Sequence, residues 1–148
     1  MYTTVLTLHS WIRWVALVAG VGATLAALRN REGSAERWGL IAVTTLDLQM
    51  LIGLVLYLVL SPFTTQAMAD FGAAMKTPQL RFWAVEHVSM MFLAVILAHV
   101  GRVLARKAKT PQARRTRLLV CFGIATVAMF AGMPWPGMAN GRPLFRGL

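Results

Sequence analysis

Acidic residues and cysteine are scarce in this chain of 148 residues, and several functional motifs are missing. Its single cysteine excludes a disulfide framework within the chain, a Cys-x-x-Cys zinc site and covalent attachment of a c-type haem. The sequence also lacks a glycine-rich phosphate loop, a His-Glu-x-x-His zinc motif and a nucleophile elbow around a serine. Signals for β-strands are absent as well. We therefore predict neither a hydrolase nor a nucleotide-binding enzyme.

The chain instead contains long apolar runs. Hydrophobic residues make up 57% of it, charged residues make up 14%, and the mean hydropathy is +0.62. A soluble domain of this size cannot bury so much apolar surface, whereas a helix of about 20 apolar residues crosses the hydrocarbon of a membrane. We predict an all-α fold, a four-helix transmembrane bundle of up-down topology that forms one integral membrane domain over residues 1–148. The predicted spans are approximately 5–28, 38–60, 82–104 and 117–133.

The basic residues are distributed unevenly between the predicted loops. The chain has 15 Lys and Arg against five Asp and Glu, a net charge of +10. The loops before the second and fourth spans hold ten of the basic residues, while the loop before the third span and the tail hold four. Because cytoplasmic loops are enriched in Lys and Arg, we expect a multi-pass protein of the bacterial inner membrane with both termini periplasmic. The basic loops then face anionic lipids, and we predict no nucleic-acid partner.

Ionisable side chains within the predicted spans are candidates for a functional site, because each costs about 2.5–3.5 kcal/mol at the centre of a membrane. His9 in the first span and His87 in the third lie about one and a half turns from the periplasmic end, so their rings can face each other. His99 lies 12 residues after His87, about 18 Å further along the helix. We expect it to form a secondary polar site with Asp47 and Gln49 near the cytoplasmic side.

Two imidazoles from facing helices at one depth are suited to binding a haem iron from both sides. The sequence therefore predicts haem b as the cofactor, with His9 and His87 as axial ligands. Arg13 and Arg81 lie at the same end of the bundle and are candidates to bind the haem propionates, and Glu86 is a candidate to orient a ligand. Two alternatives stay open: an Arg13–Glu86 ion pair would neutralise both charges, and the two histidines would be hydrogen-bonding residues at the interface.

A copper site competes for the same region. Met91 lies one helical turn after His87, and sulfur and imidazole are ligands that Cu(I) accepts. Three further methionines lie towards the same end of the bundle: Met90, Met133 and Met138.

A proton or ion path is another alternative, and it would use His99, Asp47 and Gln49, with Tyr57 further out. Asp47 and Gln49 are two positions apart, so they point about 200° apart around a helix. A hydrogen bond between His99 and Asp47 that fixes helix pairing is the simpler prediction.

Five segments of the sequence carry a resemblance to a family: LHSWIRW (8–14), QMLIGL (49–54), RFWAVEH (81–87), HVGR (99–102) and PWP (134–136). They resemble small four-helix membrane proteins common in Bacteroidetes and neighbouring phyla, which are often labelled cytochrome b-like. The resemblance covers nearly the whole chain. It implies a haem protein, with His9 and His87 as the axial ligands.

The leading hypothesis is a membrane b-type cytochrome that passes single electrons between a quinone pool or a larger membrane complex and an external acceptor. Filling both axial positions of the iron favours electron transfer over oxygen chemistry. Such a chain is an electron carrier or a subunit rather than a stand-alone enzyme. The alternatives are a non-catalytic accessory subunit of a larger membrane complex and a small oligomeric transporter or channel.

Overall fold

The structure is a computed structural model that describes residues 1–145. This part of the chain is all-helical and contains no β-strand, as the sequence predicts. Six helices follow one another along the chain: α1 (Tyr2–Leu28), α2 (Glu32–Leu60), α3 (Pro62–Ala69), α4 (Phe71–Lys76), α5 (Pro78–Arg106) and α6 (Pro111–Ala131).

Three of these helices, α1, α2 and α5, are long and apolar enough to cross a membrane. They contain the first three predicted spans, and each begins several residues earlier than predicted. Helix α6 has 21 residues, but its first two turns carry Arg114, Arg115 and Arg117, so its N-terminal third is not apolar. The length and composition of three helices therefore indicate a membrane protein.

Short polar side chains begin three of the helices. Ser61, Asp70 and Thr110 each accept a hydrogen bond from the backbone N–H three residues later, at the starts of α3, α4 and α6. A proline follows Ser61 and Thr110 at the first helical position, where its missing N–H costs nothing. The chain between α2 and α5 is thus folded into two short helices at one end of the long ones, which we call the α3–α4 end.

Small residues let the long helices approach closely. Helix α1 lies against both α2 and α6, and the side that it buries carries Ala16, Gly20 and Ala23. Helix α5 packs on α6 at Gly101, where an added Cβ would stand 2.5 Å from the Cβ of Cys121. In lipid, close approach rather than hydrophobicity drives helix association, so these residues determine how the helices pack.

Helices α2 and α5 touch along less of their length than the other neighbouring pairs, and side-chain hydrogen bonds join them at two levels. His99 Nε2 and Asp47 Oδ1 are 2.8 Å apart, so the hydrogen bond predicted between them is present. Nearer the α3–α4 end, the hydroxyl of Tyr57 donates to the carbonyl of Ala84 at 2.7 Å. Between these two levels the helices separate and leave a cavity.

Gln49 does not join Asp47 and His99. Its amide nitrogen donates to the backbone carbonyl of His9 in α1 at 2.8 Å. Asp47 lies two positions earlier and points to a different face of α2, where it and His99 are each about half exposed. The secondary polar site therefore consists of Asp47 and His99, and the path through Gln49 and Tyr57 is not formed.

The Gly101→Ala substitution is expected to weaken the contact between α5 and α6. The added Cβ meets a Cβ of Cys121 that cannot rotate away, so the two helices must separate, at a cost of about 1–3 kcal/mol in unfolding free energy. Titration with SDS in mixed micelles measures this quantity. Gly33→Ala is the matched control, because nothing lies within 4 Å of its added Cβ, and a loss of equal size in the control would contradict the prediction.

Replacing Asp47 and His99 by alanine, singly and together, measures the bond between α2 and α5. Interhelical hydrogen bonds in membrane proteins contribute about 0.6 kcal/mol and at most about 1.7 kcal/mol, so we expect a coupling energy in that range. A control cycle combines Asp47→Ala with Thr65→Ala, whose exposed hydroxyl donates to the Ser61 carbonyl at the start of α3, about 20 Å along the chain from Asp47. That control should be additive, and additivity of the first cycle would show that the pair does not fix helix packing.

Candidate functional site

A cavity opens between α1, α2 and α5 towards the α3–α4 end. It encloses about 750 Å³ of space not filled by protein atoms, including a part open to the surroundings. Most of its wall area is apolar, and Leu6, Leu46 and Val95 contribute to it. A mainly apolar cavity with a few polar groups in its wall is typical of a small-molecule or cofactor site.

His9 and His87 are the two imidazoles in this wall. His9 comes from α1 and His87 from α5, and their ring centroids are 6.3 Å apart with an angle of 69° between the ring planes. The sequence predicts that these rings lie at one depth and face each other, and the structure brings them together. The two histidines belong to different helices, so neither helix alone would form the site.

The position of His87 is fixed by the end of α6. Its Nδ1 lies 2.7 Å from the carbonyl of Gly132, the residue that follows the last turn of that helix. A carbonyl only accepts hydrogen bonds, so Nδ1 carries the proton and donates it. In a neutral imidazole the other nitrogen, Nε2, then keeps a lone pair that is free to bind a metal. The rings of Phe82 and Trp83 lie beside His87, with centroids 5.8 and 5.6 Å away.

The ring of His9 has fewer hydrogen-bond partners than the ring of His87. Its Nδ1 is buried and has no hydrogen-bond partner among the described residues. The ring lies over Gly53 of α2, where an added Cβ would stand 3.1 Å from Cε1, so a glycine at that position makes room for the ring. The side-chain oxygen of Gln49, also on the cavity wall, is buried without a partner too. Buried polar atoms left unpaired are rare in proteins, so we expect a water, an ion or a ligand to pair with these two.

Two turns of π-helix flank the cavity at the α3–α4 end, one at the end of α2 (Leu56–Leu60) and one near the start of α5 (Phe82–Glu86). Each contains a carbonyl that accepts a side-chain hydroxyl. Tyr57 donates to the Ala84 carbonyl, and Thr64 donates to the Tyr57 carbonyl, both at 2.7 Å. Single π-turns inside α-helices are frequent at functional sites. Nothing in the sequence pattern predicted them.

Arg81 and Glu86, both predicted to serve the site, pair with each other outside the cavity. Arg81 Nε donates to Glu86 Oε1 at 2.6 Å, and both side chains are exposed. Glu86 adjoins His87 in sequence, but successive helical positions differ by 100° and its carboxylate turns away. Among the described residues, Glu86 therefore interacts with Arg81 rather than orienting either histidine.

Arg13 does not line the cavity either. Its guanidinium donates to the carbonyls of Leu144 at 2.6 Å and Pro143 at 3.2 Å, in the segment after α6. The predicted Arg13–Glu86 ion pair is not formed, because each of the two side chains has a different partner. The Arg13 side chain starts one helical turn after His9 and extends past the cavity to two backbone carbonyls that lie outside any helix.

Arg142 is the cavity-lining cation, and the sequence analysis missed it. Its guanidinium carbon lies 4.6 Å from the centroid of Trp83 and 5.5 Å from that of Phe63, and Nη2 donates to the Tyr2 hydroxyl at 3.4 Å. No carboxylate pairs with it within residues 1–145. It lies after the last helix, where no periodicity indicates which way a side chain points.

The methionines near His87 form no defined ligand set. Met50 and Met91 line the cavity with His87, and Met90 and Met91 lie against Gly132, whose carbonyl binds His87. Met133 is buried and is not part of the cavity wall, and Met138 is 45% exposed. The part of the chain that the structure describes also holds no cluster of three or more His, Cys, Asp or Glu side chains able to bind a metal ion. His9 and His87 are the two imidazoles that the described residues bring together in the cavity wall.

Comparison with models of protein families, with curated protein sequences and with solved structures finds no match in any of the three. The chemistry of this chain must accordingly be argued from its own residues.

Proposed function

We propose that the protein is a b-type haem protein of the membrane that transfers single electrons, with one haem bound in the cavity by His9 and His87. The observation that carries this proposal is the pair of imidazoles whose centroids are 6.3 Å apart, contributed by two helices to one largely apolar cavity. The family resemblance of the sequence to cytochrome b-like four-helix proteins is part of the same proposal.

The distance between the rings agrees with a single metal ion shared by both. Imidazole nitrogens bind transition metals at about 2 Å, so two rings on opposite sides of one ion have centres about 6 Å apart. The observed separation of 6.3 Å meets this requirement. Direct contact between two rings also allows such a distance, but it does not account for the unpaired Nδ1 of His9 or for the surrounding cavity.

Different residues of the chain would have different roles in binding the haem. His87 would be held in one tautomer by the Gly132 carbonyl, and a ligand whose second nitrogen donates to a carbonyl is oriented and made more basic. The aliphatic wall of the cavity would exclude water. A haem held by His9 and His87 would supply one-electron chemistry, which would suit a carrier between a quinone pool or a larger membrane complex and an external acceptor.

We also propose that α6 is a fourth span, so that four helices form a transmembrane bundle in the bacterial inner membrane with both termini periplasmic. The close packing of α6 on α1 and α5 supports this, as does the apolar sequence of α6 after Arg117. Its arginines, with those of the loop between α1 and α2, would then face anionic lipids at the cytoplasmic surface.

Fusions at the C-terminus test the number of spans. With four spans and a periplasmic N-terminus, alkaline phosphatase fused after residue 148 should be active and green fluorescent protein should be dark. With three spans the two reporters should exchange their behaviour, and that result would overturn the four-span topology.

The absorption spectrum of the protein purified in detergent tests the haem. We expect a Soret band and, after reduction, the sharp α-band of a six-coordinate b-type haem. His9→Ala and His87→Ala should each lose most of the haem, whereas the control His99→Ala should keep it, because His99 pairs with Asp47 away from the cavity.

Two results would contradict this assignment. A His87→Ala variant with a full complement of haem would remove His87 as a ligand. A wild-type protein that stays colourless after expression with haem supplied would overturn the haem proposal and favour the cofactor-free accessory subunit.

A further inference from the structure

The segment after α6 folds back across the α3–α4 end of the long helices. Met133 is buried, and the indole N–H of Trp135 donates to the Phe130 carbonyl at 2.8 Å. The backbone N–H of Arg142 donates to the Pro134 carbonyl at 3.1 Å, which closes the segment into a loop. At Gly141 an added Cβ would stand 2.4 Å from the Trp135 carbonyl oxygen, so the loop closes tightly just before Arg142.

Two side chains of α1 form hydrogen bonds to the C-terminal part of this loop. Arg13 donates to the carbonyls of Pro143 and Leu144, and the indole N–H of Trp14 donates to Leu144 at 3.0 Å. The ring of Trp14 also stacks on Phe145, with centroids 5.6 Å apart. Arg142 is therefore fixed on both sides, by Pro134 before it and by α1 after it.

This placement puts on the wall of an apolar cavity a cation that no carboxylate of residues 1–145 pairs with. Arg142 is partly buried over Trp83, and its hydrogen bond to the Tyr2 hydroxyl is long. Glu86, the acidic residue next to His87 in sequence, pairs with Arg81 and not with Arg142. An unpaired charge in apolar surroundings is unfavourable, and an anion bound beside it would relieve that cost.

We propose that Arg142 binds the carboxylate of a molecule whose apolar body lies in the cavity, and that Arg13 is the positioning residue that holds Arg142 there. This inference rests on the proposed function to the extent that the molecule is haem, whose propionate would be that carboxylate. A guanidinium suits the task because its planar array of donors matches both oxygens of a carboxylate. The same chemistry would accept the carboxylate of a long-chain fatty acid.

Haem and haem dimethyl ester, which has no carboxylate, separate this role from general effects on the fold. Binding of each to the detergent-solubilised full chain is followed by absorption for the wild type, Arg142→Gln, Arg142→Lys and Arg13→Gln. A hydrogen-bonded charge pair contributes enough for about a 10- to 100-fold change in affinity. We expect Arg142→Gln to lose that factor for haem and nothing for the ester, with Arg142→Lys in between. Arg13→Gln should show the same selectivity in weaker form.

Arg81→Gln is the matched control. It removes a cation at the same end of the helices that pairs with Glu86 and does not line the cavity, so it should leave both affinities unchanged. A parallel series uses cis-parinaric acid and its methyl ester, whose fluorescence reports binding in an apolar cavity without any haem.

Each outcome decides between the two proposals. If haem binds the wild type and Arg142→Gln equally well, the role of Arg142 is overturned and the haem proposal stands. If haem does not bind but Arg142→Gln lowers the affinity for parinaric acid and spares its ester, the haem proposal fails and the role of Arg142 stands with a lipid carboxylate. If the protein binds no haem, and if Arg142→Gln binds parinaric acid and its methyl ester as the wild type does, both proposals are overturned.

Discussion

Backbone carbonyls that accept hydrogen bonds from distant side chains determine how the α3–α4 end of this protein is built. In apolar surroundings an unpaired carbonyl costs several kcal/mol, so each must find a donor. The carbonyl of Gly132 accepts a hydrogen bond from His87, that of Ala84 from Tyr57, and those of Pro143 and Leu144 from Arg13. Each of these bonds joins segments far apart in the chain.

These bonds connect the fold to the candidate site. The bond from Tyr57 joins the π-turns of α2 and α5, while Asp47 and His99 join the same helices at the other level. Between the two levels the helices are apart, and the imidazoles of His9 and His87 face each other there. The end of α6 both orients His87 and begins the loop that brings Arg142 to the cavity.

Some of the site could be predicted from the sequence because a helix has a fixed rise per residue. The positions of His9 and His87 within their spans place both rings at one depth, and the structure brings those rings together. The same reasoning separates His99 from His87 and pairs it with Asp47. Depth is predictable because it depends only on counting residues from the end of a helix.

Partners of long side chains could not be predicted in the same way. Arg13, Arg81 and Glu86 lie at the expected level, but each reaches a different partner from the one expected. An arginine side chain extends over more than one helical turn, so its helical position does not fix which acceptor it meets. Arg142 follows the last helix, where no periodicity constrains it, and the π-turns that place Tyr57 and Ala84 have no sequence signal of their own.

The sequence by itself determined the all-helical class, the three long apolar helices and the levels of the three histidines along them, because composition and helical rise are local properties of the chain. Only the tertiary structure decided which cation lines the cavity, which carbonyl holds His87 and where α2 and α5 separate. Those outcomes depend on which unpaired donors and acceptors meet when distant segments pack, and that choice is made by the whole fold.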